Sequence, residues 1–360
     1  MRAGQNPPWV SRHWPAILAV LPLVSLMVTV AFGALLRWVL AGRGMPFGDF
    51  MHVRSAHSHL GFYGVLFPLV WQQWRRMGER VPGGWVMVAY SLATGAATVD
   101  FVVEGYALIS IVGSSVVLVV WLACAWPLRK HWKTQDGLAP VFPSVVCAAV
   151  AIPVVAILTR QSNPLAMDWV HAFLTWLLLG VAGSTALKHM EVTTPLPVWP
   201  VFVTLGSGLA LGPLQGWPFR SVLVLEGLLF FQVFWSKKVS ADLRCAWSLS
   251  ALGLVLVGLG WLQWTPVTAV AGIHFMVLGP LLGTMAWPAL WRSARPYYLI
   301  LVAVFSGLVA MTGWQDWKAW PFMAAIVGTW VALVWWVVVM WLRPCTKTGR
   351  GLVFGEKAWG

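Results

Sequence analysis

Histidines within apolar segments are the residues of this chain best suited to do chemistry. The stretch RSAHSHLGFYGVLFPLVW at residues 54–71 places His57 and His59 at the head of an apolar run, and other apolar runs contain His171 and His274. Neutral imidazole is the commonest metal ligand in proteins. An ionisable side chain inside a lipid bilayer is costly and is functional by default. Imidazoles in three separate apolar runs therefore predict a metal-binding function.

The residues after His57 indicate which metal cofactor this histidine would bind. On a helix, glycines at i+4 and i+7 (Gly61 and Gly64) and a proline at i+11 lie on the same face as the His57 imidazole. That face has no large side chain, and a porphyrin would need such a flat surface. We therefore predict that Gly61 and Gly64 line a haem. The alternative is that these glycines let a neighbouring helix pack closely.

The second ligand of this haem is predicted to be His274. If the three histidine-bearing segments run from outside to inside, His57, His171 and His274 lie at similar depths in the outer half of the membrane. Two imidazole ligands favour a low-spin b-type haem that transfers electrons. His59 projects to nearly the opposite side of its helix and is the alternative ligand from that segment. A further alternative is that His57 simply hydrogen-bonds a backbone carbonyl.

Copper is a second metal that the histidines could bind. His171 lies in AMDWVHAF, with Asp168 at i−3 on the same helix face, where a carboxylate can fix the tautomer of a metal ligand. The same spacing is equally compatible with an interfacial pair. His52 and His59 are spaced i, i+7 and share a face, so they could bind copper at the outer surface, although two ligands make a weak site.

Three other ionisable residues have predicted roles. Arg37 and Arg54 lie near the outer ends of their segments, where they could pair with haem propionates or extend to the lipid headgroups. Glu226 lies deep inside its apolar segment. It could relay protons, or it could pair with Arg220 near the outer end of the same segment.

The composition predicts a polytopic membrane protein. Of 360 residues, 59% are apolar and 10% are charged, against about 25% charged in globular domains, and the mean hydropathy is +0.76. The net charge of +13 does not indicate nucleic-acid binding, because the basic residues form short clusters between apolar runs. The four scattered cysteines form no CxxC or CxxCH motif, so a thiolate zinc site and covalent haem attachment are not indicated.

The apolar runs divide residues 1–360 into helices of a single all-α membrane domain. A spanning helix needs about 20 apolar residues. Twelve predicted spans meet this length, with short loops between them: 15–40, 51–74, 83–103, 106–128, 139–159, 165–188, 196–214, 217–236, 245–263, 266–290, 296–314 and 319–342. No room remains for a soluble domain.

The basic residues predict the orientation of these spans. With the N-terminus inside and the spans alternating, eighteen of the 24 lysines and arginines fall on the inner side. Those on the outer side are Arg37, Arg43, Arg54, Arg160, Arg220 and Lys318. This asymmetry is typical of cytoplasmic loops, and it predicts a bacterial-type inner membrane with both termini in the cytoplasm.

The histidine segments resemble a known superfamily. AHSHLGFYGVLFP is similar to the second helix of subunit I of the haem–copper oxidases and nitric oxide reductases, where a histidine near the outer end binds the low-spin haem. The resemblance implies a twelve-helix bundle with histidines on helices 2, 6 and 10. It also implies that His274 is the second low-spin haem ligand and that His171 is a copper ligand.

A closer resemblance is to the NnrS family of twelve-helix membrane proteins, which are associated with haem, copper and nitric oxide stress. The His57-Ser58-His59 element is similar to an HxH element of their second helix, and GIHFMVLGPLLGTM is similar to the start of their tenth. In motif the resemblance covers only those two helices. It implies a response to nitric oxide.

The chain departs from both families at several positions. The oxidases have a pair of histidines on helix 7, whereas residues 196–214 contain none. They also have a second helix 10 histidine two residues from the first, whereas Gly272 and Met276 stand there. The HTGR-like element of the NnrS family is replaced by Ala286-Trp287-Pro288. Most ligands of a binuclear oxidase centre are therefore absent.

Three functions follow from these patterns. The first is an inner-membrane haem protein that transfers electrons or responds to a small gas such as nitric oxide or oxygen, in contact with lipids and with a redox partner or oxidase subunits. The second is a transporter in which the histidines and Glu226 line a proton or substrate path. The third is an assembly factor that delivers haem or copper to a respiratory oxidase.

Overall fold

The regular structure of the chain is helical. A computed structural model describes residues 8–40, 42, 44–192, 199–236, 239 and 241–285. Within these ranges every regular element is a helix and no strand occurs. The helical fold class is therefore confirmed. The predicted spans 296–314 and 319–342 lie outside the described residues.

The described helices follow the predicted apolar segments. We number them α1 to α10: α1 Pro8–Leu40, α2 50–76, α3 Trp85–Val103, α4 Leu108–His131, α5 Val141–Arg160, α6 Leu165–His189, α7 Trp199–Leu211, α8 Trp217–Trp235, α9 Ala241–Gly258 and α10 266–285. The last turns of α4 (Trp126–His131) and α8 (Gln232–Trp235) tighten into 3₁₀ geometry, as is common at helix ends.

Seven of the described helices contain a stretch that is long and apolar enough to cross a membrane. These stretches are Val20–Leu40, Trp85–Val103, Leu108–His131, Val141–Arg160, Leu165–His189, Trp217–Trp235 and Thr268–Met285. Trp199–Leu211 and Leu243–Gly258 are apolar but shorter. Helix α2 is long but carries histidines and Arg54 in its first turns and glutamines and arginines in its last turns, which lower its mean hydropathy. The chain is thus a multi-pass membrane protein.

Hydrogen bonds tie α2 to α6 and α10 near their C-terminal ends. The Trp74 indole of α2 donates to the Thr185 hydroxyl of α6 at 2.8 Å. The Gln73 amide, fully buried on α2, donates to the Met285 carbonyl of α10 at 2.7 Å. Polar bonds of this kind fix the register of packed helices inside a bilayer. The three histidine-bearing helices therefore converge at one end.

The same three helices each contain a π-helical segment. In α2 it is Gly61–Leu66, between Phe50–Leu60 and Phe67–Arg76. In α6 it is Trp176–Gly183, and in α10 it is Val277–Leu281. These are the π segments found in the described residues, and each begins within about one turn after His57, His171 or His274. Such widened turns occur frequently at functional sites.

A network of charged residues joins the C-terminal ends of α4 and α6 to the loop after α2. Glu79 accepts from the Lys130 ammonium at 2.8 Å and pairs with His131 at 2.9 Å. Asp136 pairs with His131 at 3.2 Å and with Lys188 at 2.9 Å. Burial alone would raise the pKa of Asp136, but the hydrogen bonds from His131, the Leu138 amide and Lys188 outweigh burial and lower this pKa.

Candidate functional site

The imidazoles of His57 and His274 lie side by side, although they come from distant parts of the chain. Their ring centroids are 5.9 Å apart, and their planes differ by 12°. With metal–nitrogen bonds of about 2 Å, one metal between two Nε2 atoms would hold the ring centroids roughly 6 Å apart. The centroid distance is therefore close to that of two imidazoles on one metal, and the ring planes are stacked.

The hydrogen bonds of both rings select the tautomer that a metal needs. His57 Nδ1 lies 2.8 Å from the Thr29 carbonyl oxygen of α1, and His274 Nδ1 lies 2.8 Å from the Val270 carbonyl oxygen in its own helix. A carbonyl oxygen only accepts, so Nδ1 carries the proton and Nε2 carries the lone pair. Metal-binding histidines have this pattern, in which the other ring nitrogen donates to a carbonyl or carboxylate. The donor set thus suits bis-imidazole ligation of a haem iron.

Helix α1 supports the His57 ring in two places. The Thr29 carbonyl of α1 accepts a hydrogen bond from Nδ1 of His57. One turn later, Gly33 of α1 lies against the imidazole. A Cβ atom at Gly33 would lie 3.0 Å from Cε1 of His57. Neither residue was predictable from the sequence, because a main-chain carbonyl gives no sequence signal and Gly33 is one of 34 glycines.

Helix α1 packs against the face of α2 that carries Gly61 and Gly64. A Cβ atom at Gly61 would contact the Thr29 methyl group at 3.6 Å, and one at Gly64 would clash with Ser25. At these two positions the face is covered by α1 and does not form an open surface. Close helix packing, the alternative interpretation of the glycines, therefore accounts for Gly61 and Gly64.

His59 lies on a different side of α2 from His57, as predicted from its position on the helix. Its ring stacks on Phe101 with centroids 4.2 Å apart and meets the edges of Tyr63 at 5.2 Å and Tyr106 at 5.6 Å. Its Nδ1 lies 2.8 Å from the Ser55 carbonyl oxygen. Of the two alternative ligands on α2, His57 is the one that faces His274.

The three copper candidates have separate surroundings. The His52 ring packs on Gly105, which has a φ of +74°. His171 meets the edge of Trp264 with centroids 6.2 Å apart, while His59 lies among the aromatic rings described above. Within the described part of the chain, no group of three histidine, cysteine, aspartate or glutamate side chains is close enough to hold a metal. No three-ligand copper site forms in that part of the chain, while His52 and His59 lie near the neighbouring residues Gly105 and Tyr106.

Asp168 does not fix the tautomer of His171 in this structure. Its carboxylate accepts from the Gln215 amide at 3.3 Å, and His171 Nδ1 is buried without a hydrogen bond. The two residues share one helix face, as the spacing predicted, but the carboxylate turns to the loop after α7. The predicted support of a copper ligand by Asp168 is therefore not seen.

Arg37, Arg54 and Glu226 are the remaining residues with predicted roles. Arg54 is exposed one turn before His57, with Nη1 4.0 Å from Met51 Sδ, and the side chain of Arg37 lies outside the described part of the chain. Glu226 is fully buried and accepts from Thr204. Among the described residues no ion pair joins Glu226 to Arg220.

Comparisons with known proteins identify no relative. No family model, curated protein or solved structure matches the chain. The resemblance to the NnrS family and to the haem–copper oxidases therefore stays a prediction from two short motifs. The His57–His274 pair is the feature of the structure that bears most directly on function.

Proposed function

We propose that this protein is a membrane haem protein that binds one b-type haem through His57 of α2 and His274 of α10. The observation that carries the proposal is the pair of near-parallel imidazoles with centroids 5.9 Å apart. His57 and His274 would hold the haem iron, and a haem with two imidazole ligands would supply electron transfer. A response to a small gas such as nitric oxide is the alternative role of the same site.

Contact between α2 and α10 supports a ligand pair drawn from these two helices. Gln73 of α2 donates to the Met285 carbonyl of α10 at 2.7 Å. The two helices are therefore joined by a buried hydrogen bond as well as by the imidazole pair.

The proposal does not include reduction of oxygen to water. That reaction in the oxidases depends on a second metal beside the active-site haem, and residues 196–214 contain no histidine for it. Copper at His171, His52 or His59 stays outside the proposed function, because no group of three metal ligands forms among the described residues.

We also propose the twelve-span, oxidase-like arrangement, in an inner membrane with both termini in the cytoplasm. Helices α2, α4 and α6 should run in the same direction in this topology. The charged network supports this common direction. Glu79 lies in the loop after α2, Lys130 lies at the end of α4 and Lys188 lies at the end of α6, and the network joins all three on one side of the bundle. Basic residues on that side are typical of the cytoplasmic face.

Absorption spectroscopy of the purified protein tests the haem proposal. We expect about one b-type haem per chain, measured from oxidised and reduced spectra and as the pyridine haemochrome, and its loss in both His57→Ala and His274→Ala. His59→Ala is the matched control from the same helix and should keep the haem. Wild-type protein without haem, or haem kept in both ligand variants, would contradict the proposal.

A further inference from the structure

Glu226 is a fully buried acid in the middle of α8. The Thr204 hydroxyl of α7 lies 3.3 Å from one carboxyl oxygen and 3.2 Å from the other. A carboxylate without a cationic partner is very costly in a low-dielectric interior, whereas a neutral carboxylic acid is much less so. A buried Glu226 therefore needs either a cationic partner or a bound proton.

No cation compensates Glu226 among the described residues. The neighbours of α8 are α7, which presents Thr204 and Ser207, and α9, which packs Ala251 and Val255 against Gly227, beside Glu226. None of these side chains is charged, and no ion pair involving Glu226 is formed within the described ranges. The side chain of Arg220, on the same helix, extends toward Gly260. Hydroxyl groups are thus the polar surroundings of this carboxyl.

Two further buried hydroxyl groups lie near Glu226. Ser207, one turn after Thr204 on α7, faces the Glu226 carboxyl. Ser144 of α5 and the methyl group of Thr204 both pack against Gly180 of α6. Both serines are 0% exposed, and the Ser144 hydroxyl has no hydrogen-bond partner among the described residues. Buried hydroxyls without partners are rare, and a bound proton would use such groups as donors or acceptors.

We propose that Glu226 is an intramembrane proton-binding site. On binding, a proton joins one carboxylate oxygen and forms a neutral acid, whose O–H can donate to the Ser207 hydroxyl while Thr204 donates to the other oxygen. Ser144 lies in the first turn of α5, next to the side that carries the Asp136 network. Ser144 therefore lies between Glu226 and the end of the bundle that carries this network. This proposal is independent of the haem.

A hydrophobic carbodiimide tests this site in membranes. The carboxylic acid adds across a C=N bond of the reagent, its proton passes to nitrogen, and the adduct is located by peptide mass spectrometry. We expect labelling at Glu226 that decreases as the pH is raised. The exposed Glu104 is the internal control and should stay unlabelled. Absence of label at Glu226 at every pH, or suppression of label by sodium ions at constant pH, would overturn the proposal.

Replacement of Thr204 tests whether its hydroxyl sets the pH dependence of the labelling. The Thr204 hydroxyl stabilises the charged carboxylate, so Thr204→Val should move the labelling midpoint to higher pH. Ser250→Ala, which removes a buried hydroxyl of α9, is the matched control and should leave the midpoint unchanged. A midpoint that is the same in Thr204→Val would contradict the proposed hydrogen bond. In infrared spectra, the carbonyl band of the protonated acid should shift in D₂O and be lost in Glu226→Gln.

Discussion

The imidazole pair depends on contacts that hold each ring in one orientation. Thr29 fixes Nδ1 of His57, and Gly33 leaves room for its ring. The pairing of His57 with His274 was predictable, since both histidines fall at similar depths in their segments. Their surroundings were not, because neither the Thr29 carbonyl nor the choice of one glycine among many is visible in a single sequence.

Replacement of Gly33 tests the support of His57. A side chain at Gly33 would start 3.0 Å from the imidazole, so Gly33→Val should displace the ring and reduce the haem content severalfold. Gly95→Val on α3 is the matched control, because nothing lies within 4 Å of a Cβ atom there. Equal haem content per folded protein in the two variants would contradict the account.

Each histidine-bearing helix has a widened turn shortly after its histidine. A π segment holds an extra residue relative to an α-helix and so changes the direction in which the preceding side chains point. The apolar pattern predicted the helices themselves, because burial in lipid fixes their length. It did not predict the π segments in α2, α6 and α10, because these depend on how neighbouring helices pack.

Deletion of one residue tests the role of the α2 π segment. Removing Phe62 should restore α-helical geometry and rotate His57 by about 100° relative to the inner half of α2. We expect loss of the bis-imidazole absorption spectrum in folded protein. Phe62→Ala keeps the number of residues in the π segment and should retain the bis-imidazole spectrum. A deletion variant with an unchanged spectrum would show that the widened turn has no role in orienting His57.

At the scale of the whole molecule, charge and hydropathy defined the architecture. Each of the described helices α1 to α10 overlaps one predicted span. The basic clusters indicated which helix ends share a side, and the network around Glu79 and Asp136 joins three of those ends. The individual partners could not be predicted, because ion pairs between loops depend on the tertiary arrangement.

Loss of the Asp136 carboxylate should loosen the inner side of the bundle. Asp136→Asn removes pairs to His131 and Lys188 and should lower the free energy of unfolding by about 2 kcal/mol at neutral pH. The folded state lowers the Asp136 pKa, so this stabilisation is present above the unfolded value of about 3.9 and is lost as the pH falls below it. Thermal unfolding in detergent should show wild type and variant converging in acid.

The exposed acid Glu104 provides a reference for this experiment. Glu104→Gln should leave the unfolding temperature unchanged across the same pH range, because its side chain is in contact with solvent. A difference between wild type and Asp136→Asn that persists without change in acid would contradict the assigned role of the carboxylate.

The most direct test of the account is the electron paramagnetic resonance spectrum of the oxidised protein. Two imidazoles on one ferric iron should give a low-spin signal in the wild type. Removal of either ring, in His57→Ala or in His274→Ala, should abolish this low-spin signal together with most of the haem. Any residual haem should be high-spin and should return to the low-spin form with added imidazole. A low-spin signal that survives unchanged without the His274 ring would show that α2 and α10 do not share an iron.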